Sequence, residues 1–299
     1  MNMPKPSIRL LHSTLALGVA ALLAACATTS EPPAAPRKEI AFGLTETNEL
    51  IKFNTGEPQR VLSRMPVKGL AAGEQLLGID FRVSRGVLYT LSQSGQLYTL
   101  DTATAELKKV GTGAGYTLVG NTFGFDFNPA ADRIRVVSDT TLNLRLHPET
   151  GAAVDGNPNM PGLQADGDLH YVAGDANAGK KPTVVAAGYT YNKTDEKITT
   201  NYAIDRDLGV LAMQGSLEGT TPVVSPNTGD LRTVGPLGLG KLRDASFDIA
   251  DVSNAGFAVI RTADDLRARL YLIDLKTGGA KLLGTVDQGR PLLGLAIEP

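Results

Sequence analysis

The stretch Leu77-Gly-Ile-Asp-Phe81, Gly86-Val-Leu-Tyr-Thr-Leu91, Gln96-Leu-Tyr-Thr-Leu-Asp101 and Ala105-Glu-Leu-Lys-Lys-Val-Gly111 decides the fold. Each run is short, rich in β-forming residues and bounded by Gly, Ser or Thr, the pattern of four strands joined by tight turns. It recurs. Phe123-Gly-Phe-Asp-Phe127, Arg133-Ile-Arg-Val-Val137 and Leu142-Asn-Leu-Arg-Leu146 repeat its first three strands. Ala245-Ser-Phe-Asp-Ile249, Gly256-Phe-Ala-Val-Ile260, Arg269-Leu-Tyr-Leu-Ile-Asp274 and Ala280-Lys-Leu-Leu-Gly284 give a full copy, and a looser one runs from Val184 to Gly235.

A fifth copy is split between the two ends of the chain. Ile40-Ala-Phe-Gly-Leu-Thr45 reads as a second strand, and Glu49-Leu-Ile-Lys-Phe-Asn54 matches Gln96–Asp101. The missing first strand is Leu292-Leu-Gly-Leu-Ala-Ile297, which matches Leu76-Leu-Gly-Ile-Asp-Phe81. A last strand that completes a first unit is the signature of a ring, because an open stack of small sheets leaves two apolar end faces in water. The expected fold is therefore all-β: a β-propeller of five four-stranded blades, closed by the C-terminal strand joining the N-terminal blade. The blades are 290–299 with 40–69, 70–120, 121–155, 183–236 and 241–289. Residues 156–182 are left over, either as an inserted loop or as part of a sixth, degenerate blade.

The motif Phe123-Gly-Phe-Asp-Phe-Asn-Pro129, Asp132-Arg-Ile-Arg-Val-Val-Ser-Asp139, Asn143-Leu-Arg-Leu146 resembles a bacterial secreted or lipoprotein domain family of unknown function with propeller-type repeats. The likeness extends across most of residues 40–299. It implies the fold and carries no activity with it.

The N-terminus makes a separate statement. Lys5 and Arg9 precede a short apolar run through Leu15, Leu17, Val19, Leu22 and Leu23, and small residues lead to Cys26, the single cysteine of the chain. Charged, apolar, then small is the order of a signal peptide, and the run is shorter than the roughly 20 residues a membrane-spanning helix needs. Leu23-Ala-Ala-Cys26 resembles the lipobox of bacterial lipoproteins. Residues 1–25 are then a lipoprotein signal peptide, and Cys26 is the lipidated N-terminus, bearing palmitate-type chains. Residues 26–39, rich in Ala, Thr, Ser and Pro, are a flexible tether to the domain at 40–299. Ala27 in place of Asp points to the outer membrane of a two-membrane bacterium, so the expected location is the cell envelope, facing the periplasm or the outside.

With a formal charge of −2 the chain has no basic excess, which argues against nucleic acid as a partner. Tryptophan is absent, which weakens the case for a stacked-aromatic sugar platform. His147 and His170 have no cysteine to join them in a zinc site, and no Gly-x-Ser-x-Gly occurs. The glycine-rich stretches 111–115 and 235–240 read as blade connections.

Two clusters remain as candidate sites. Alternation along neighbouring strands brings Arg133, Arg135 and Arg145 toward Asp126, Asp139 and Asn143. This is either an anion or carboxylate pocket or, the favoured reading, an internal ion-pair network. Asp80, Asp126 and Asp248 hold equivalent places in three repeats and form a candidate cation ring. Repetition speaks first for a structural role; as a ligand set their oxygens suit Ca2+. No cofactor is otherwise called for. The insertion brings Asp166, Asp168, His170, Tyr171 and Asp175, as a functional loop or as a cover for one propeller face. The reading is a membrane-anchored envelope module that binds or scaffolds a protein, cell-wall or small-molecule ligand. The alternative is a propeller-type hydrolase or lyase with a cation on the channel carboxylates.

Overall fold

In chain order the strands fall into five small sheets. β1 (Ile40–Thr45), β2 (Glu49–Asn54) and β3 (Val61–Pro66) belong to the first. β4 (Leu76–Arg82), β5 (Val87–Ser92), β6 (Leu97–Leu100) and β7 (Leu107–Val110) form the second. β8 (Phe123–Asn128), β9 (Arg133–Ser138) and β10 (Asn143–Leu146) form the third. β11 (His170–Tyr171), β12 (Val184–Tyr189), β13 (Asn201–Asp205), β14 (Val210–Gln214) and β15 (Asp230–Pro236) form the fourth. β16 (Leu242–Ile249), β17 (Gly256–Thr262), β18 (Arg269–Ile273) and β19 (Ala280–Thr285) form the fifth. The last strand, β20 (Leu292–Ile297), pairs antiparallel with β1 in the first sheet. These assignments come from a computed structural model that describes residues 31–299 together with Met1 and Met3. Cys26 and the apolar run before it lie outside the described residues.

The innermost strands β20, β4, β8, β12 and β16 pack each beside the next, with β16 also against β20, so the sheets stand as five blades of a propeller. Strand alternation makes this arrangement stable, because successive side chains point to opposite faces and each face meets a different neighbour. In β9, Val136 joins the apolar cluster between the second and third blades, and Val137 joins that between the third and fourth. In β17, Phe257 and Val259 pack toward the first blade, and Ala258 and Ile260 toward the fourth. The core is thus five wedges, one per seam. Inner strands are buried on both faces and read as nearly continuous apolar runs. The outer strands β7 and β19 expose Lys108, Lys109 and Lys281.

Three expectations are corrected. The third blade has three strands, not four. After a single bridge from Ala153 to Leu146, the Asp155 carboxylate accepts the amides of Asn157 and Gln164, folding the chain into a turn where a fourth strand would run. Residues 156–182 are neither a free loop nor a sixth blade: within them β11 adds in parallel to β15, making the fourth blade five-stranded. The tether expected over 26–39 is docked from Glu31 onward. The Glu31 carboxylate pairs with Arg269 and accepts the amide of Thr285. Ala35 donates to the Gly56 carbonyl, and the Arg37 guanidinium lies 5.4 Å from the Phe257 ring centroid.

Candidate functional site

Five small residues, Gly78, Gly124, Ala186, Ser246 and Gly294, line the axis where the inner strands meet. Their smallness is a steric requirement. A Cβ on Gly124 would lie 2.7 Å from the Ala187 nitrogen, and one on Gly294 would lie 2.8 Å from that of Ile79. The cavity left between them is about 10 Å³.

Two residues along from Gly78, Gly124 and Ser246, on the same strand faces, stand Asp80, Asp126 and Asp248. Each carboxylate accepts an amide from the next inner strand. Asp80 Oδ2 takes Phe127 N–H at 2.7 Å, Asp126 Oδ1 takes Tyr189 N–H at 3.0 Å, and Asp248 Oδ2 takes Ile297 N–H at 2.5 Å. Three of the five seams are stapled this way. Gly188 and Ala296 occupy the equivalent places on β12 and β20 and make no such bond. One oxygen from each of the three carboxylates lies within 4.8 Å of the others, and all three residues are buried. Burial, then the charge of Asp248, pushes Asp80 well above the ordinary carboxylate range. Burial, then Asp80 and Asp248, does the same to Asp126. Burial pushes Asp248 up to about 6. Asp251, on the turn after β16, is pushed up to about 7 by burial and by Asp248.

The arginine cluster is assembled differently from the expectation. Arg135 is 2 % exposed, and its donors reach Asp166 Oδ2 at 2.6 Å, Asn143 Oδ1 at 2.7 Å, Asn227 Oδ1 at 2.6 Å and Tyr189 Oη at 3.2 Å. Arg145 grips the same Asp166 with two bonds, at 2.8 and 2.7 Å. Asn143 also accepts from Gln214 and donates to the carbonyls of Gly167 and Pro226. Three of the expected members lie elsewhere. Arg133 turns outward and donates to the Ala131 and Asp132 carbonyls. Asp139 accepts the Asn121 amide and lies 3.8 Å from Arg206. Asp126 faces Arg135 across the ladder but belongs to the axial group. The acid that completes the network, Asp166, comes from the insertion. Tyr171 and Asp175 of the same segment are turned inward, to Asp205 and to Thr233. Asp168 and His170 are exposed.

The open polar space is on the face where the inner strands begin. A cavity of about 530 Å³ is lined by Thr122, Arg206, Asp207, Lys241, Arg243, Asp244 and Arg261. It shares Thr122 and Asp244 with one of about 210 Å³ that reaches Glu46, Gln75 and Leu292. Arg261 pairs with Asp244 and Glu46, and Arg206 with Asp207 and Asp139. Lys241 and Arg243 are exposed and make no ion pair among the described residues. Sequence reasoning passed over this group because its members come from three blades. Its local trace is Lys241-Leu-Arg-Asp244, a polar start to an apolar strand.

Fold and geometry define a five-bladed β-propeller with an acidic, closed axis. Over residues 49–296 the chain matches the family described as Domain of unknown function (DUF4394), and it belongs to that family. No curated protein matches it significantly. Among solved structures it is similar to the glutaminyl cyclase of Myxococcus xanthus, with 12% identity and a TM-score of 0.45 over 80% of this chain and 83% of that one. It is similar also to a structural genomics protein of unknown function from Bacteroides thetaiotaomicron, with 12% identity and a TM-score of 0.45 over 85% of this chain and 59% of the other.

Two outcomes follow from this geometry. Arg135→Ala leaves Asp166 with Arg145 as its one arginine partner, Asn143 with Gln214 as its remaining side-chain donor and Asn227 without the Arg135 bond, and should cost about 3–5 kcal/mol. Urea melts check this; a variant as stable as the parent would contradict a structural role. The second outcome concerns pH. A carboxyl whose folded pKa is raised stabilises the fold fully below its unfolded value of about 3.9 and loses that contribution as pH rises through the folded value. Without added cations, stability from Asp248 should fall between about pH 4 and pH 6. Asp248→Asn should remove roughly 1–3 kcal/mol of that slope, measured by melts at pH 4.5 and 7.5 in EDTA.

Proposed function

We propose that this chain is a lipid-anchored binding module of the bacterial cell envelope. Its ring, closed by β20, presents a rigid face to a ligand that carries carboxylate or phosphate groups. The observation that carries the reading is the contrast between the polar clusters. The axial carboxylates and the Arg135 network are buried and engaged within the protein, whereas Lys241 and Arg243 stand open at the 530 Å³ cavity. Guanidinium groups suit such oxyanions because their fork matches two acceptor oxygens. The hydrolase or lyase alternative has less support, because the carboxylates it needs are at most 6% exposed and lie beside a cavity too small for a substrate. Anchorage rests on the Leu23–Cys26 segment after its charged and apolar start.

Citrate and inorganic phosphate are the probes for the face. Each should raise the melting temperature of the parent at low salt, and Lys241→Ala with Arg243→Ala should abolish that rise while leaving the unliganded protein as stable as before. An equal response from the double variant would place anion binding elsewhere and sink the assignment. The anchor has its own check. Cys26→Ala should release the protein from washed membranes or leave it unprocessed, and equal retention of variant and parent would refute lipidation there.

A further inference from the structure

We propose that Asp80, Asp126 and Asp248 hold a hard divalent cation of the Ca2+ class on the propeller axis, tying the second, third and fifth blades together. The reading is independent of the ligand face. Its first support is distance. Two oxygens bound to one Ca2+ at about 2.3–2.6 Å can stand no more than roughly 5 Å apart, and the three carboxylates each offer an oxygen within 4.8 Å of the others. The site is reached without moving a strand.

Ser246 supplies a second, independent support. It is 94% buried, since its exposure is 6%, and its Oγ finds no hydrogen-bond partner. It shares a strand face with Asp248, two residues away, and lines the axial cavity of about 10 Å³. Asp126 Oδ2, buried likewise, also has no partner. Buried polar atoms are nearly always satisfied, and an axis that gathers three carboxylates, one of them with an unsatisfied oxygen, on the strand face that also carries the unsatisfied Ser246 hydroxyl is built for a positive occupant.

Ligand chemistry narrows the ion. The donors are all oxygen, with no imidazole or thiolate among them, which selects Ca2+, Mg2+ or Mn2+ over zinc and copper. Ca2+ tolerates the irregular, one-sided arrangement that Gly188 and Ala296 impose by offering no carboxylate, whereas Mg2+ demands a near-ideal octahedron at 2.0–2.1 Å. The amide bonds to Phe127, Tyr189 and Ile297 fix the carboxylates before the ion arrives. The cation then acts as a keystone, and its burial keeps it from serving as a catalytic metal for a large substrate.

The test uses the full chain, stripped with EDTA and titrated with CaCl2, MgCl2 and MnCl2 by calorimetry, with thermal melts alongside. One equivalent of Ca2+ should bind and raise the melting temperature by about 5 °C or more at saturating ion. Asp126→Asn keeps an oxygen for the Tyr189 amide, so it should fold and bind Ca2+ at least tenfold more weakly. Asp80→Asn provides the same comparison should the first variant unfold. A parent chain that takes up none of the three ions, or that is stabilised by acid alone, overturns the proposal. So does unchanged Ca2+ affinity in a folded Asp→Asn variant.

Discussion

Five strands meet at the axis, and their backbones come so close that any side chain larger than a hydroxymethyl group would hold them apart. Gly78, Gly124, Ala186, Ser246 and Gly294 satisfy that limit in five different sequence contexts. Once the strands stand at this distance, the wedges between blades are filled by aliphatic and aromatic side chains from both neighbours, and the amides of one inner strand come within reach of carboxylates on the next. Each wedge draws residues from two blades, so no blade owns a complete core.

Close approach also explains where the polar groups are. The third blade lacks an outer strand, and the edge of β10 that it would have paired is met instead by the amides of Val154 and Asp166, the latter's carboxylate taking both Arg135 and Arg145. A buried guanidinium is tolerable only with its donors satisfied, and Arg135 achieves this with one carboxylate and three neutral acceptors. Its partners come from β10, β12, the insertion and the turn before β15. The cluster thus locks the third and fourth blades, while Lys241 and Arg243 of the fifth make no ion pair among the described residues.

Much of this was legible in the chain itself. The recurring Gly-x-Asp of β4 and β8 and the Ser-x-Asp of β16 marked the inner strands, and the likeness of Leu292–Ile297 to Leu76–Phe81 showed that the two ends share one sheet. The equivalence of Asp80, Asp126 and Asp248 was visible as well. Their mutual distance was not, because spacing along a strand says nothing of how near three blades stand. The place of Arg133 was misread because alternation fixes a face and not a partner; at the strand end its side chain found local carbonyls instead. The role of Asp166 was hidden, since a residue in a segment without periodicity has no register from which to predict its neighbour. The rim group around Lys241 and Arg243 escaped notice because its members come from three blades.

The outermost strands carry a consequence of their own. Each blade ends in a strand whose outer row of amides and carbonyls has no ladder partner within its sheet, and such rows can template the stacking of one molecule on another. β7 and β19 present Lys108, Lys109 and Lys281 along these rows. In the fourth blade the short parallel strand β11 covers part of the row of β15. A propeller has several such edges, and each is an opportunity for fibrous aggregation. Ammonium groups on two of these edges and a strand borrowed from an insertion on a third all work against such pairing.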